Sequence, residues 1–175
     1  MDIVGKIIGM IMVIVATTGY GIVLSRDIKL RLKELKEIKK IAFLMKGEIG
    51  YGHTPLLEAF DNVSRRCSLP FKEILTDFVK YGEEGNKRPF VDIWNDGMTG
   101  LIGKTHLSKE EKELFINWGQ GLGLSDVRTQ ENAMDNFLNE LDLNIEALEK
   151  IVPNKVKLYN SMGIMLGIVI AIIMI

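Results

Sequence analysis

Residues 3–24 read IVGKIIGMIMVIVATTGYGIVL, and residues 158–175 read LYNSMGIMLGIVIAIIMI, while the stretch between them is densely charged. A helix needs ~20 apolar residues to cross the hydrocarbon core of a bilayer, because no water is present there to satisfy its backbone amides. The first run meets that length with one charge, Lys6, near enough to its end for the ammonium to reach the headgroups. The second is near the lower limit and unbroken from Gly163 onward. The pattern therefore predicts transmembrane helices over 1–25 and 157–175, flanking a helical domain over 26–156. A cleaved secretory signal fits the first run poorly. Its apolar stretch exceeds the ~7–15 residues of a signal core, and Ala16-Thr17-Thr18 is a weak cleavage site.

Lys and Arg mark the side on which the domain sits, since basic residues beside spans are retained in the cytoplasm. Arg26, Lys29, Arg31, Lys33, Lys36, Lys39 and Lys40 follow the first span, and Lys150, Lys155 and Lys157 precede the second. The domain is thus expected to be cytoplasmic. With a formal net charge of −1 the chain carries no global polyanion-binding signature, and its one cysteine, Cys67, permits no internal disulfide.

Working inward from the first span, Ile28, Leu32, Leu35, Ile38, Ala42, Met45 and Ile49 recur at three or four residues. That spacing predicts an amphipathic helix running straight out of the span. Thr54-Pro55 predicts a second helix, with Thr54 as N-cap and Pro55 at the first helical position. Ser68 and Pro70 introduce a third, and Pro89 a fourth that frays at Gly97, Gly100 and Gly103. Ser108 and Glu111 form a capping box for the fifth, which Gly119, Gly121 and Gly123 are expected to stop. Ser125 caps the last and longest helix. In it Val127, Met134, Leu141 and Leu148 fall seven apart with Gln130, Phe137, Ile145 and Val152 between them, the seam of a helix packed on another helix. Pro153 is expected to bend the chain before the second span. No alternation of apolar and polar residues competes with these patterns, so the fold class is all-α.

Charge joins the ends of the domain. Eight basic and three acidic residues lie between Arg26 and Lys46, whereas the last long helix sets Asp126, Glu131, Asp135, Glu140, Asp142, Glu146 and Glu149 against Arg128. Two helices feeding one bilayer in opposite senses form an antiparallel pair, and opposite charge would select it. Exposed ion pairs are worth only ~0–1 kcal/mol each, so the apolar seam supplies most of the stability. The alternative role for the basic stripe is to lie on anionic headgroups.

Catalytic motifs are decoys. Gly103-Lys104-Thr105 ends like a phosphate-binding loop, but Met98 stands where its first glycine belongs and no strand precedes it. The glycines at 119, 121 and 123 follow a helix and are misspaced for a dinucleotide site. His53 and His106 have no Cys or His partner at metal-ligand spacing. The chain is therefore expected to be neither an enzyme nor a nucleic-acid binder, and to need no cofactor. Small residues in the spans, Gly5 with Gly9 and Gly163 with Gly167 and Ala171, predict close helix packing in the membrane, against the other span, another copy or another protein.

Glu48-Ile49-Gly50-Tyr51-Gly52-His53-Thr54-Pro55-Leu56, then Leu122-Gly123-Leu124-Ser125-Asp126 with Gln130, and Lys157-Leu158-Tyr159 leading to Met162-Gly163 and Gly167, resemble the stage III sporulation protein AB family of endospore-forming bacteria. The resemblance covers essentially the whole chain. That family is similar to the cytoplasmic domain of the type II secretion F protein, which implies a six-helix antiparallel bundle, secretion F-like, between two transmembrane helices. It also implies a non-enzymatic platform in the mother-cell membrane facing the forespore, with a secretion-type ATPase, stage III sporulation protein AA, and the other subunits of the same channel complex as partners. Glu48, Tyr51, Thr54, Pro55, Leu56, Gly123, Ser125, Asp126 and Gln130 are the candidate partner-contact or helix-capping residues. A second reading is a membrane-anchored helical regulator or sensor that dimerises through its heptad seam.

Overall fold

The computed structural model describes residues 3–50, 54–84, 88–123 and 127–173, and all its regular structure is helical. The elements are α1 (Ile3–Gly50), α2 (Leu56–Ser64), α3 (Phe71–Glu84), α4 (Phe90–Ile102), α5 (Lys109–Leu122) and α6 (Val127–Ile173). Two helices, α1 and α6, are long and apolar enough to cross a membrane. The all-α class and the six helices agree with the sequence reading. The chain divides into two compact units, one made of Met1–Leu32 with Glu146–Ile175 and the other of Lys33–Ile145. Helices α1 and α6 contribute to both.

In the Lys33–Ile145 unit, α2 packs on α3, α3 on α4 and α4 on α5. Its core joins Leu35, Ile38, Ala42 and Met45 of α1 to a cluster of rings, Phe60, Phe78, Trp94, Phe115, Trp118 and Phe137. Trp94 is fully buried and donates its indole N–H to the Ile116 carbonyl at 2.8 Å. Edge-on and offset ring pairs of this kind contribute beyond the area they bury. Lys46 and Asp135 pair at 2.5 Å and Lys39 pairs with Asp142, so α1 and α6 run antiparallel here with opposite charges matched.

Several helix ends differ from the sequence expectation. Pro55, not Thr54, is the N-cap of α2, because Thr54 turns away: its N–H donates to the Glu48 carbonyl and its hydroxyl to the Glu48 carboxylate. The capping box at Ser108 and Glu111 forms as expected. Gly97 and Gly100 sit inside α4, which runs on to Ile102 without fraying before its Gly103 C-cap. Gly119 and Gly121 do not stop α5. A Cβ at Gly119 would land inside the Trp94 indole, so this glycine admits the ring, and only Gly123 serves as C-cap. Pro153 lies within α6, which continues unbroken on both sides. Its missing amide costs a backbone hydrogen bond, yet the helix continues, with Leu148 and the adjacent Val152 buried and Gly163, two to three turns further on, packed on α1.

Candidate functional site

Two places gather the residues singled out by sequence. The first is where the Glu48 and Gln130 motifs meet. Glu48 stands in the last turn of α1, where a carboxylate opposes the negative end of the helix dipole. Two donors offset this, the Thr54 hydroxyl at 3.4 Å and the Asn62 amide at 3.2 Å. The same carboxylate thus ties the α1–α2 connection to α2. Gln130 of α6 donates to the Leu122 carbonyl at 2.6 Å, satisfying an acceptor in the last turn of α5 that has no partner within the helix. A Cβ on Gly50 would lie 3.0 Å from Glu131 Oε1, so the end of α1 and the start of α6 are neighbours and the two motifs share one end of the bundle. Gly123 allows close approach, since a Cβ there would stand 2.6 Å from Val91. Pro55 is exposed and Leu56 half-buried. Tyr51, Ser125 and Asp126 lie outside the described residues.

The second place is the crossing of α1 and α6 in the other unit. Cβ atoms on Gly163 would stand 2.8 Å from the Thr17 carbonyl, and on Gly21 2.5 Å from the Tyr159 carbonyl, while Gly167 sits against Ile14 and Thr17 and Ala171 is buried. The backbones are nearly in contact. Both helices are long and apolar enough to cross a membrane, and in a bilayer close packing and hydrogen bonds are what hold such a crossing together. Ser25 supplies the bond: its buried hydroxyl lies 2.7 Å from Asn160 Oδ1 and 3.3 Å from the Val156 carbonyl. The Thr17 hydroxyl is satisfied within α1, by the carbonyls of Val13 and Ile14. On α1, then, the crossing is made by Thr17, Gly21 and Ser25. Sequence reasoning missed them although they recur every four residues, because two carry hydroxyls and were not grouped with the glycine. Gly9 is half-buried, and the packing of Gly5 lies outside what is described.

Other chemically capable groups are committed inside the fold. Glu34 is buried and accepts from the backbone N–H of His106 at 2.7 Å, with the His106 ring Nδ1 2.8 Å away. The Thr105 hydroxyl donates to the Ile102 carbonyl, so Gly103-Lys104-Thr105 forms a helix end and no phosphate cradle. Burial, reinforced by nearby Glu37, pushes the Cys67 thiol up to about 11. Among the described residues no three His, Cys, Asp or Glu side chains are placed to hold a metal ion. The arrangement fastens helices to one another.

Comparison with known proteins gives one consistent result. The family model described as stage III sporulation protein AB matches residues 6–175. The stage III sporulation protein AB of Bacillus subtilis (strain 168) is 22% identical over 169 residues, covering 97% of this chain and 98% of that protein. A solved structure of a stage III sporulation protein AB shares the fold with a TM-score of 0.64 at 21% identity, covering 70% of this chain and 96% of that one.

Proposed function

This chain belongs to the stage III sporulation protein AB family, and with that membership goes a role in sporulation; from this premise we propose that it is a membrane-anchored scaffold. Residues 1–25 and 157–175 span the mother-cell membrane facing the forespore, and residues 26–156 form a cytoplasmic bundle that docks a secretion-type ATPase, stage III sporulation protein AA. The complex is secretion-like, and this subunit performs no chemical step of its own. The observation that carries the reading is continuity: α1 and α6 each run from an apolar, span-length segment into the bundle as a single helix, with no loop between. A load taken by the bundle is thereby delivered to the spans through hydrogen-bonded helix.

The docking face is assigned to the end of the bundle where Glu48, Thr54, Pro55 and Gln130 gather. The test is co-purification from membranes of sporulating cells. The full chain should retain the ATPase and hydrolyse no nucleotide alone, and a photoreactive residue at Glu48 should crosslink to it. Clean recovery of the chain without the ATPase, under conditions that preserve other complexes, sinks the docking role. The sensor that dimerises through its seam is disfavoured by burial: Met134, Phe137 and Leu141 are already covered within the chain's own bundle.

A further inference from the structure

Two helices whose backbones touch leave a furrow beside the contact, because the larger side chains must splay outward. Next to the Gly21–Gly163 crossing lies an open groove of about 390 Å³, walled by Ala16, Tyr20, Leu24, Tyr159, Met162 and Leu166. Its surface is hydrocarbon and two tyrosine rings. Lys155 is exposed one helical turn before Tyr159, on the same face of α6. Around it, Arg26, Lys29, Lys155 and Lys157 take part in no ion pair among the described residues, and the acidic residue in these stretches, Asp27, has a partner of its own.

We propose that this groove binds an anionic phospholipid, with an acyl chain along its walls and the headgroup phosphate on the Lys155 ammonium. The proposal rests on the reading that α1 and α6 span a bilayer. Neighbouring lipid tails are as apolar as the groove, so the acyl chain contributes shape and little selectivity. Choice among lipids must come from charge, and unpaired cations at the groove's end favour a headgroup of net negative charge. Tyrosine rings suit this depth, where an apolar body meets polar headgroups. The geometry singles out Lys155 from the other cations, since Lys150 and Lys157 leave α6 on other faces.

The full chain, purified in mild detergent and stripped of lipid, would be titrated with dioleoylphosphatidylglycerol or dioleoylphosphatidylcholine and read by native mass spectrometry. The anionic lipid should be held about fivefold more tightly per cation engaged. Lys155→Gln should remove most of that preference, Lys150→Gln should leave it, and Ala16→Trp should lower retention of both lipids by filling the groove. Oxidative crosslinking of a Ser25→Cys/Asn160→Cys pair checks that the hairpin survives each change. Equal retention of the two lipids overturns the proposal, and so does a loss with Lys150→Gln as large as with Lys155→Gln, which marks a diffuse basic surface. A chain that leaves the membrane fraction for water refutes the spanning reading itself. A chain that stays in the membrane without lipid preference refutes the site alone.

Discussion

The α1–α6 crossing and the helical bundle solve opposite problems with opposite residues. In the bundle, large rings do the packing: Trp94, Phe60, Phe78 and Phe115 are fully buried, and glycine appears at 119 to make room for an indole. At the crossing nothing large intervenes: Thr17 and Gly21 meet Gly163 and Gly167 almost backbone to backbone, and Ser25 bonds to Asn160. Water explains the first, since apolar area removed from it is worth about 25 cal/mol per Å². In a bilayer, where we propose that the crossing sits, that driving force vanishes, and what remains is dispersion at close range plus a bond such as Ser25 to Asn160. The same residue type, glycine, therefore means room for a ring in one unit and contact between backbones in the other.

The contrast can be attacked where it is strongest. Trp94→Ala removes the centre of the ring cluster and an indole hydrogen bond, and should cost about 3–5 kcal/mol in chemical denaturation of the full chain. A loss under 1 kcal/mol would mean that the rings do not carry the bundle. Cys67 gives a second handle, because burial raises its thiol from 9.0 to about 11. At pH 8 the native chain should react with iodoacetamide about a hundredfold more slowly than the urea-unfolded chain. The raised value also fixes the sign of the linkage: the stabilisation is complete below pH 9 and is lost as pH climbs toward 11. Native and unfolded rates that coincide would show the bundle open around Cys67.

A smaller effect is expected at the crossing. Gly163→Leu should part the helices and abolish crosslinking of the Ser25→Cys/Asn160→Cys pair, at about 1–2 kcal/mol of hairpin association, while denaturation of the bundle is unchanged. If bundle stability falls as much as the crosslinking, the two units do not pack by separate rules. The smallest effect is at the surface. A double-mutant cycle on Lys46 and Asp135, both about half exposed, should return 0.2–1 kcal/mol and shrink in high salt.

Periodicity made the bundle legible. The seam positions from Met134 to Val152 are all buried, and α1 buries Leu35, Ile38, Ala42, Met45 and Ile49 as its spacing required. Capping was legible where one side chain has one natural target, as at Ser108, and illegible at Thr54, whose hydroxyl had a competing acceptor in Glu48 six residues back. Glycine was the weakest guide. Gly119 looked like a helix stop because its reason, the Trp94 ring, comes from a helix distant in sequence. For the candidate sites, Gly163 and Gly167 could be named in advance, but their partners on α1 depended on register between the two long helices, which composition does not encode. Pro153 does not end α6, which is helical on both sides of it, so the missing amide is tolerated inside the helix.

The Ser25–Asn160 bond and the close-packed glycines have a consequence for how this protein can change over generations. Adding or deleting one residue between Thr17 and Ser25 would swing everything beyond it by about 100°, turning either the glycine or the serine away from α6. Side chains in these segments can drift as long as they stay small at every fourth place. The segment lengths cannot, so insertions and deletions among relatives should collect in the connections between helices and leave residues 17–25 and 160–167 uninterrupted.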